Sequence, residues 1–572
     1  MIEAISPGTV VYDDDEAYEE ALDEHTALLT EPDYPSLYRR LSRRSDADYL
    51  PQDDDDVEHV RRESLGGVRK SAWASLSVLL LGVFVANADA SLVLATYGKV
   101  SSEFHDLESG SWLVSAYALA QCAVQPLYGK LSDIYGRKPA IVVAYVLFAI
   151  GTAGAGLGRS LWEVVMWRAV QGAGGAGMAS MVSIIITDIV PMQEVAVMRS
   201  YVNISATTGR SCGGVLGGVL TQAFGWRWAF LAQVPPTLIA IAMVVWTLHI
   251  PTRDPAAASQ SKWAKLRRID FAGAFFLSTT VVAACLILDL GGDKLSWTSK
   301  WMYVLAGTTF VSAIAFTVSA TYVQEPIFPL RLLQESAVVV NYAILTLLIM
   351  TQMSLVLSVP LYFQTTANAS TGQAGAHLIP AFVGNTLGGL IAGHSIKYTG
   401  RFKPSTVAGP IISLLCMVLL LFTWQGHTSI VGSLAIFPGG FANGMIASST
   451  FVGLAAGVDD HDVAIAASGM YMFSNIGLIA AVSAGSAAFQ TTLRSSLSST
   501  FNDVKGGKEI IQQALKDIGY VQDSTGRIRE LLIPCYVDAF HSVNLFSIVC
   551  ASTALGFAVI SKGGKLPKPE KH

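Results

Sequence analysis

Apolar positions form long, unbroken runs separated by short polar breaks from about residue 72 to residue 560. Fourteen runs approach the roughly 20 residues that a helix needs to cross a bilayer. They cover 72–97, 110–128, 139–157, 161–186, 199–223, 228–249, 271–290, 300–322, 337–362, 373–396, 405–423, 430–456, 466–490 and 539–560. Backbone within hydrocarbon must satisfy its own hydrogen bonds, and runs of this length without alternation do so as helices. The pattern therefore predicts an all-α membrane protein with 14 transmembrane helices. Residues 1–71 show the opposite pattern. Charge blocks such as DDDEAYEE, YRRLSRRSDADY and DDDD, with few apolar residues between them, read as a disordered acidic tail. The first apolar run begins too late for a cleavable signal peptide.

Composition sharpens this picture. Only 14% of the 572 residues are charged, against about a quarter in soluble domains, and 52% are hydrophobic. The net charge of −5 is the sum of two unlike parts. Residues 1–71 hold 19 acidic and 8 basic residues, leaving 24 acidic and 30 basic residues in the body. No basic patch interleaved with aromatics suggests a nucleic-acid partner. The six cysteines lie mostly in apolar segments without a CxxC pair, and read as small buried hydrophobes.

Loops after even-numbered segments are richer in Lys and Arg than the short loops after odd ones, which predicts that both termini are cytosolic. The chain also repeats itself. GKLSDIYGRK at 129–138 and GHSIKYTGRFK at 393–403 both read Gly, six residues, Gly-Arg, each after the second segment of a six-segment group. Two six-helix bundles in parallel repeat account for this. The bundles are 72–249 and 337–560, with a cytosolic linker at 250–270, two extra helices at 271–322, a luminal loop at 493–537 and a cytosolic tail at 561–572. Within that loop, KEIIQQALKDIGY has helical spacing and predicts a small amphipathic cap.

Several motifs carry a family resemblance. PLYGKLSDIYGRKP (126–139) resembles the loop 2–3 signature of the major facilitator superfamily. Gly129 and Gly136 permit close approach of helix ends, and Asp133 can accept from Arg137 or from helix-end amides. Together with Lys138 they would form a conformational latch. RAVQGAGGAGMAS (168–180) resembles the span 4 motif, Arg-x-x-Gln-Gly. NISATTGRSCGGVLGG (203–218) resembles the span 5 motif of the antiporter branch, without its usual proline and with Arg210 added. Gly209, Gly213 and Gly217 stand four residues apart there, a spacing suited to tight helix packing. GWRWAFLAQVPP (225–236) and NADASLVLATYGKVSSEF (87–104) are similar to the fourteen-span drug:proton antiporter branch, the latter most to fungal vacuolar basic amino acid transporters. The resemblance implies a major facilitator fold of two six-helix bundles plus two extra helices.

It also implies chemistry for Asp89, a carboxylate deep in the first apolar run. Ionisable residues at that depth are costly and mark functional sites by default, so Asp89 is expected to face the central cavity. Ionised, it would attract a cationic substrate; protonated from an acidic lumen, it would release it. Arg168 would modulate it, with Asn87, Tyr117 and Gln121 as further proton-coupling or substrate-binding candidates. Two plainer readings stay open: a structural Asp89–Arg168 pair, or an aspartate capped by Asn87 and Ser91. Arg168 could equally snorkel to the luminal surface.

The expected function is proton-coupled movement of Lys, Arg and His from the cytosol into the vacuole, with the proton gradient as sole cofactor. A multidrug or organic-cation antiporter at the plasma membrane is the alternative; an amino-acid sensor with little flux is another. Glu24, Leu28 and Leu29 in EHTALL match an acidic dileucine sorting signal that vesicle adaptors would read. No nucleophile–base set, phosphate loop or convincing metal cluster suggests an enzyme, and DDHD (459–462) reads as a solvated loop.

Overall fold

In the computed structural model the described residues run from 54 to 566, apart from 107, 249–260, 292–294, 429–430, 460, 503–506, 517, 562 and 565. They are helical, with one isolated β-bridge at Gly291 and Leu295 and no strand. The long helices are α1 (Asp54–Glu103), α2 (Trp112–Tyr135), α3 (Arg137–Leu157), α4 (Leu161–Ile189), α5 (Met192–Phe224) and α6 (Trp226–Thr247). Next come α7 (Phe271–Leu290), α8 (Lys300–Tyr322), α9 (Ser336–Thr366) and α10 (Ile379–Thr399). The last are α11 (Lys403–Thr423), α12 (Phe437–Ala455), α13 (Val463–Phe501) and α14 (Gly526–Ile560).

Twelve of these combine the length and hydropathy of a membrane span. The exceptions, α2 and α5, are 24 and 33 residues long but carry more polar side chains. Two boundaries differ from the sequence reading. Helix α1 starts at Asp54, inside the stretch expected to be tail. The stretch 493–537 is also mostly helical. Helix α13 continues to Phe501 and α14 begins at Gly526, with Gly507–Lys516 and Ile518–Asp523 between them. Leu493, Leu497, Phe501, Ala514, Val521, Leu532 and Tyr536 bury one another there, and the Tyr536 hydroxyl donates to the Ala514 carbonyl at 2.6 Å.

Helix α4 packs between α2 and α3, and α10, α11 and α12 pack side by side, while α9, α13 and α14 form a second layer. Helices α7 and α8 pair with each other, and α7 rests on α2 and α13. On this seam Ser278 donates to the Ala123 carbonyl at 2.7 Å. Helix α8 exposes Trp301, Tyr303, Phe310, Val311 and Tyr322, a surface that suits lipid.

The two groups of six helices meet along α2–α13 and α5–α10, and the repeated motif builds both seams. A Cβ on Gly129 would lie 2.8 Å from the Ala464 carbonyl oxygen of α13. A Cβ on Gly393 would lie 2.8 Å from the Ala196 carbonyl oxygen of α5. The second glycines, Gly136 (φ +94°) and Gly400 (φ +64°), end α2 and α10 in the left-handed region that side chains avoid.

Candidate functional site

Three helices bring Asp89 to a fixed address. Its carboxylate is wholly buried. Arg168 Nη1 of α4 donates to Oδ2 at 2.7 Å, and Gln171 Nε2, one turn on, donates to Oδ1 at 3.0 Å. Arg168 also donates through Nη1 to Gln171 Oε1 at 2.5 Å and through Nε to the Leu113 carbonyl at 3.0 Å. Its guanidinium lies 4.4 Å from the centroid of the Tyr117 ring. The span 4 motif therefore supplies both donors, spaced i and i+3 so that one helix face presents them together.

This geometry differs from the expected carboxylate facing the central cavity. In this conformation both oxygens are occupied and no water reaches them, and Arg168 does not snorkel to a surface. A buried carboxylate demands a counter-charge. Arg168 supplies it from within the chain. Asn87 does not cap Asp89; it donates to the Val83 carbonyl at 2.8 Å and accepts from Arg210 Nε at 2.9 Å. The Tyr117 hydroxyl accepts from Gln121 Nε2 at 3.2 Å, so these two candidates form their own pair beneath the arginine.

The glycine stripe of α5 lies against α1, immediately beside the site. A Cβ on Gly209 would meet the Phe84 carbonyl oxygen at 2.5 Å, on Gly213 the Ala88 carbonyl oxygen at 2.1 Å, and on Gly217 Leu92 Cγ at 2.8 Å. In the loop 2–3 motif Arg137 is the hub. It joins Asp133 at 2.5 Å, Asp188 of α4 at 2.7 Å and Ser132 at 2.6 Å, while Lys138 reaches the Val245 carbonyl at 2.6 Å. These residues border a cavity of about 850 Å³ on that face, shared with Arg268, Glu325 and Arg331. Asp459, His461 and Asp462 lie close together at its edge, and Arg331 pairs with Asp462 there at 2.9 Å.

Sequence reading passed over Arg199 and Glu325. Arg199, near the start of α5, donates to Ser183 and to Tyr471 of α13 and lies 4.5 Å from the Phe451 ring centroid of α12. Basic residues are ordinary at helix ends, and no local signal marks this one as a bridge between halves. Glu325 accepts from Lys130 at 2.7 Å and from Arg268 at 3.0 Å. The sorting candidates Glu24, Leu28 and Leu29 lie outside the described residues.

Comparison with known proteins places this architecture. The family model described as Major Facilitator Superfamily matches residues 79–482. A vacuolar membrane amino acid uptake transporter of Schizosaccharomyces pombe is 32% identical over 82% of this chain and 81% of its own. A multidrug resistance protein of the same organism is 31% identical over 85% of this chain and 91% of its own. Vacuolar basic amino acid transporter 2 of Saccharomyces cerevisiae is 27% identical over 81% and 99%. Among solved structures, the proton:xylose symporter XylE superposes with a TM-score of 0.53 at 16% identity, covering 86% of this chain and 96% of that one. Helical architecture, loop 2–3 hub and family model agree: the chain is a membrane transporter, not an enzyme, and it belongs to the major facilitator superfamily.

Proposed function

We propose that this transporter moves the basic amino acids Lys, Arg and His from the cytosol into the vacuole in exchange for protons. In this reading fourteen helices cross the membrane, both termini are cytosolic, and the proton gradient is the only energy source. The observation that carries it is the buried Asp89–Arg168–Gln171 cluster. One carboxylate there has three cationic claimants: Arg168, a proton and the substrate. With Arg168 in place the carboxylate is satisfied and the empty carrier pays no penalty for a bare buried charge. A cationic substrate entering from the cytosol competes for the same oxygens. A proton from an acidic lumen cancels the charge that either holds. Exchange follows because only one claimant is held at a time, while the halves rock about their seams. The names of two relatives support the vacuolar amino-acid reading.

The similar match to a multidrug resistance protein favours a second reading, proton-coupled export of organic cations at the plasma membrane. Uptake of labelled lysine, arginine and histidine into acidified vesicles, with and without the pH gradient, tests the proposal. The wild-type protein is expected to accumulate them only with the gradient. Asp89→Asn is expected to abolish that dependence. Gradient-driven uptake surviving in Asp89→Asn would sink the coupling role. Drug-driven but not lysine-driven exchange would favour the second reading.

A further inference from the structure

Arg210 is a positive charge midway along α5, and an arginine at the centre of a membrane helix costs about 2.5–3.5 kcal/mol on insertion scales unless something holds it. Its one hydrogen bond among the described residues is from Nε to Asn87 Oδ1 at 2.9 Å. No carboxylate of those residues lies within salt-bridge distance. As a residue Arg210 is exposed, and no hydrogen bond from either Nη is among those of the described residues.

Its position on α5 gives the direction in which it points. Asn203 and Thr207, seven and three residues earlier, share its helix face. Both hydrogen-bond Asn385 of α10 across the seam between halves, Asn203 to Oδ1 at 2.5 Å and Asn385 Nδ2 to Thr207 at 3.3 Å. Gly214 and Gly218, four and eight residues later, continue the same face. A Cβ on Gly214 would find only Ser91 at 3.8 Å, and one on Gly218 would find nothing within 4 Å. The face thus changes from closed seam to open space at Arg210. That residue thus lies on the face of α5 that meets the other half at Asn203 and Thr207 and is open beyond it, with its Nε held by Asn87.

Resting on the amino-acid reading above, we infer that Arg210 is the substrate-binding residue that takes the α-carboxylate of the transported amino acid. A guanidinium fork matches a carboxylate with two parallel, charge-assisted hydrogen bonds, which an ammonium or an amide cannot reproduce. The same charge repels ligands that are cationic throughout. Arg210 therefore selects amino acids against their decarboxylated amines: lysine is accepted, and cadaverine, which keeps both amines and lacks the carboxylate, is refused.

The test pairs uptake with ligand-induced thermal shift on the purified full-length protein, using lysine and cadaverine. In the wild type, excess lysine is expected to compete with labelled lysine and to raise the Tm, while cadaverine does neither. Arg210→Ala is expected to raise the half-saturating lysine concentration at least about tenfold, the loss of one charge-assisted contact, and to erase the preference over cadaverine. Arg210→Lys keeps the charge without the fork and is expected to fall between; an unliganded Tm matching wild type shows that it folds. Unchanged lysine affinity and preference in both variants would overturn the assignment while leaving the transport reading intact. A lysine-induced shift in the wild type, lost in Arg210→Ala but without uptake, would support the assignment and defeat the transport reading. No shift and no uptake with lysine in the wild type would overturn both.

Discussion

At Gly213 a single hydrogen stands where any other residue would place a carbon 2.1 Å from the Ala88 carbonyl oxygen. The clash is with backbone, so no rotamer change relieves it, and α5 must move off α1. Gly213→Leu is expected to destabilise the protein by about 1–3 kcal/mol, the usual cost of overpacking, seen as a lower Tm of the purified transporter. Gly218→Leu, which meets open space, is the control and is expected to leave Tm near wild type. The four-residue glycine period was legible in the sequence, because spacing alone defines a helix face. Which helix it faces was not, because nothing local encodes a partner 125 residues away. Asp89 and Arg168 were each legible as expensive charges. Their pairing was only one alternative, since hydropathy fixes depth along a helix too loosely to align one with another. Arg199 was invisible for the opposite reason: a charge at a helix start has an ordinary explanation.

At the scale of elements, helix existence followed from apolar run length, and helix ends did not. Helix α13 outlasts its apolar run because SLSSTF still buries Leu497 and Phe501 against the short helix Gly507–Lys516. The junctions depend on charge as well. Glu325, between α8 and α9, ties α2 through Lys130 to the segment before α7 through Arg268. Partial burial would raise the pKa of this carboxyl, but hydrogen bonds from Arg268 and Lys130 prevail and hold it below its ordinary value. A depressed carboxyl contributes stability above its unfolded pKa, about 4.3, and loses it as pH falls through the lower folded value. With a side chain 37% exposed the contribution is screened and small. Glu325→Gln is expected to lower Tm by about one degree at pH 7. In a pH series of melting curves, that difference should vanish below about pH 4.

The whole molecule is held shut at one end. Glu194 of α5 pairs with Lys397 of α10 at 2.8 Å, Ser200 donates to the Gly389 carbonyl at 2.6 Å, and Asn475 of α13 donates to Gln125 of α2 at 2.9 Å. These contacts lie toward the loop 2–3 end, while the α5 face opens beyond Arg210. Transport by rocking requires the closed end to part. A reducible bifunctional thiol cross-linker joining Glu194→Cys to Lys397→Cys, in a background without native cysteines, is therefore expected to stop uptake, and reductant to restore it. Undiminished uptake by the cross-linked protein would show that this seam does not open. The sequence repeat predicted two related halves, but not that its glycines would form the contacts joining them.

That the same short phrase builds both seams constrains how the molecule can change over time. Gly129 and Gly393 each sit against a serine hydroxyl and, within a few tenths of an ångström of it, a neighbour's backbone carbonyl, so trimming a side chain alone would not make room. A methyl group acquired on one side would wedge that edge while the other still met, leaving the gate crooked. Substitution is therefore tolerated far less at these two clasps than on faces of the same helices that meet open space.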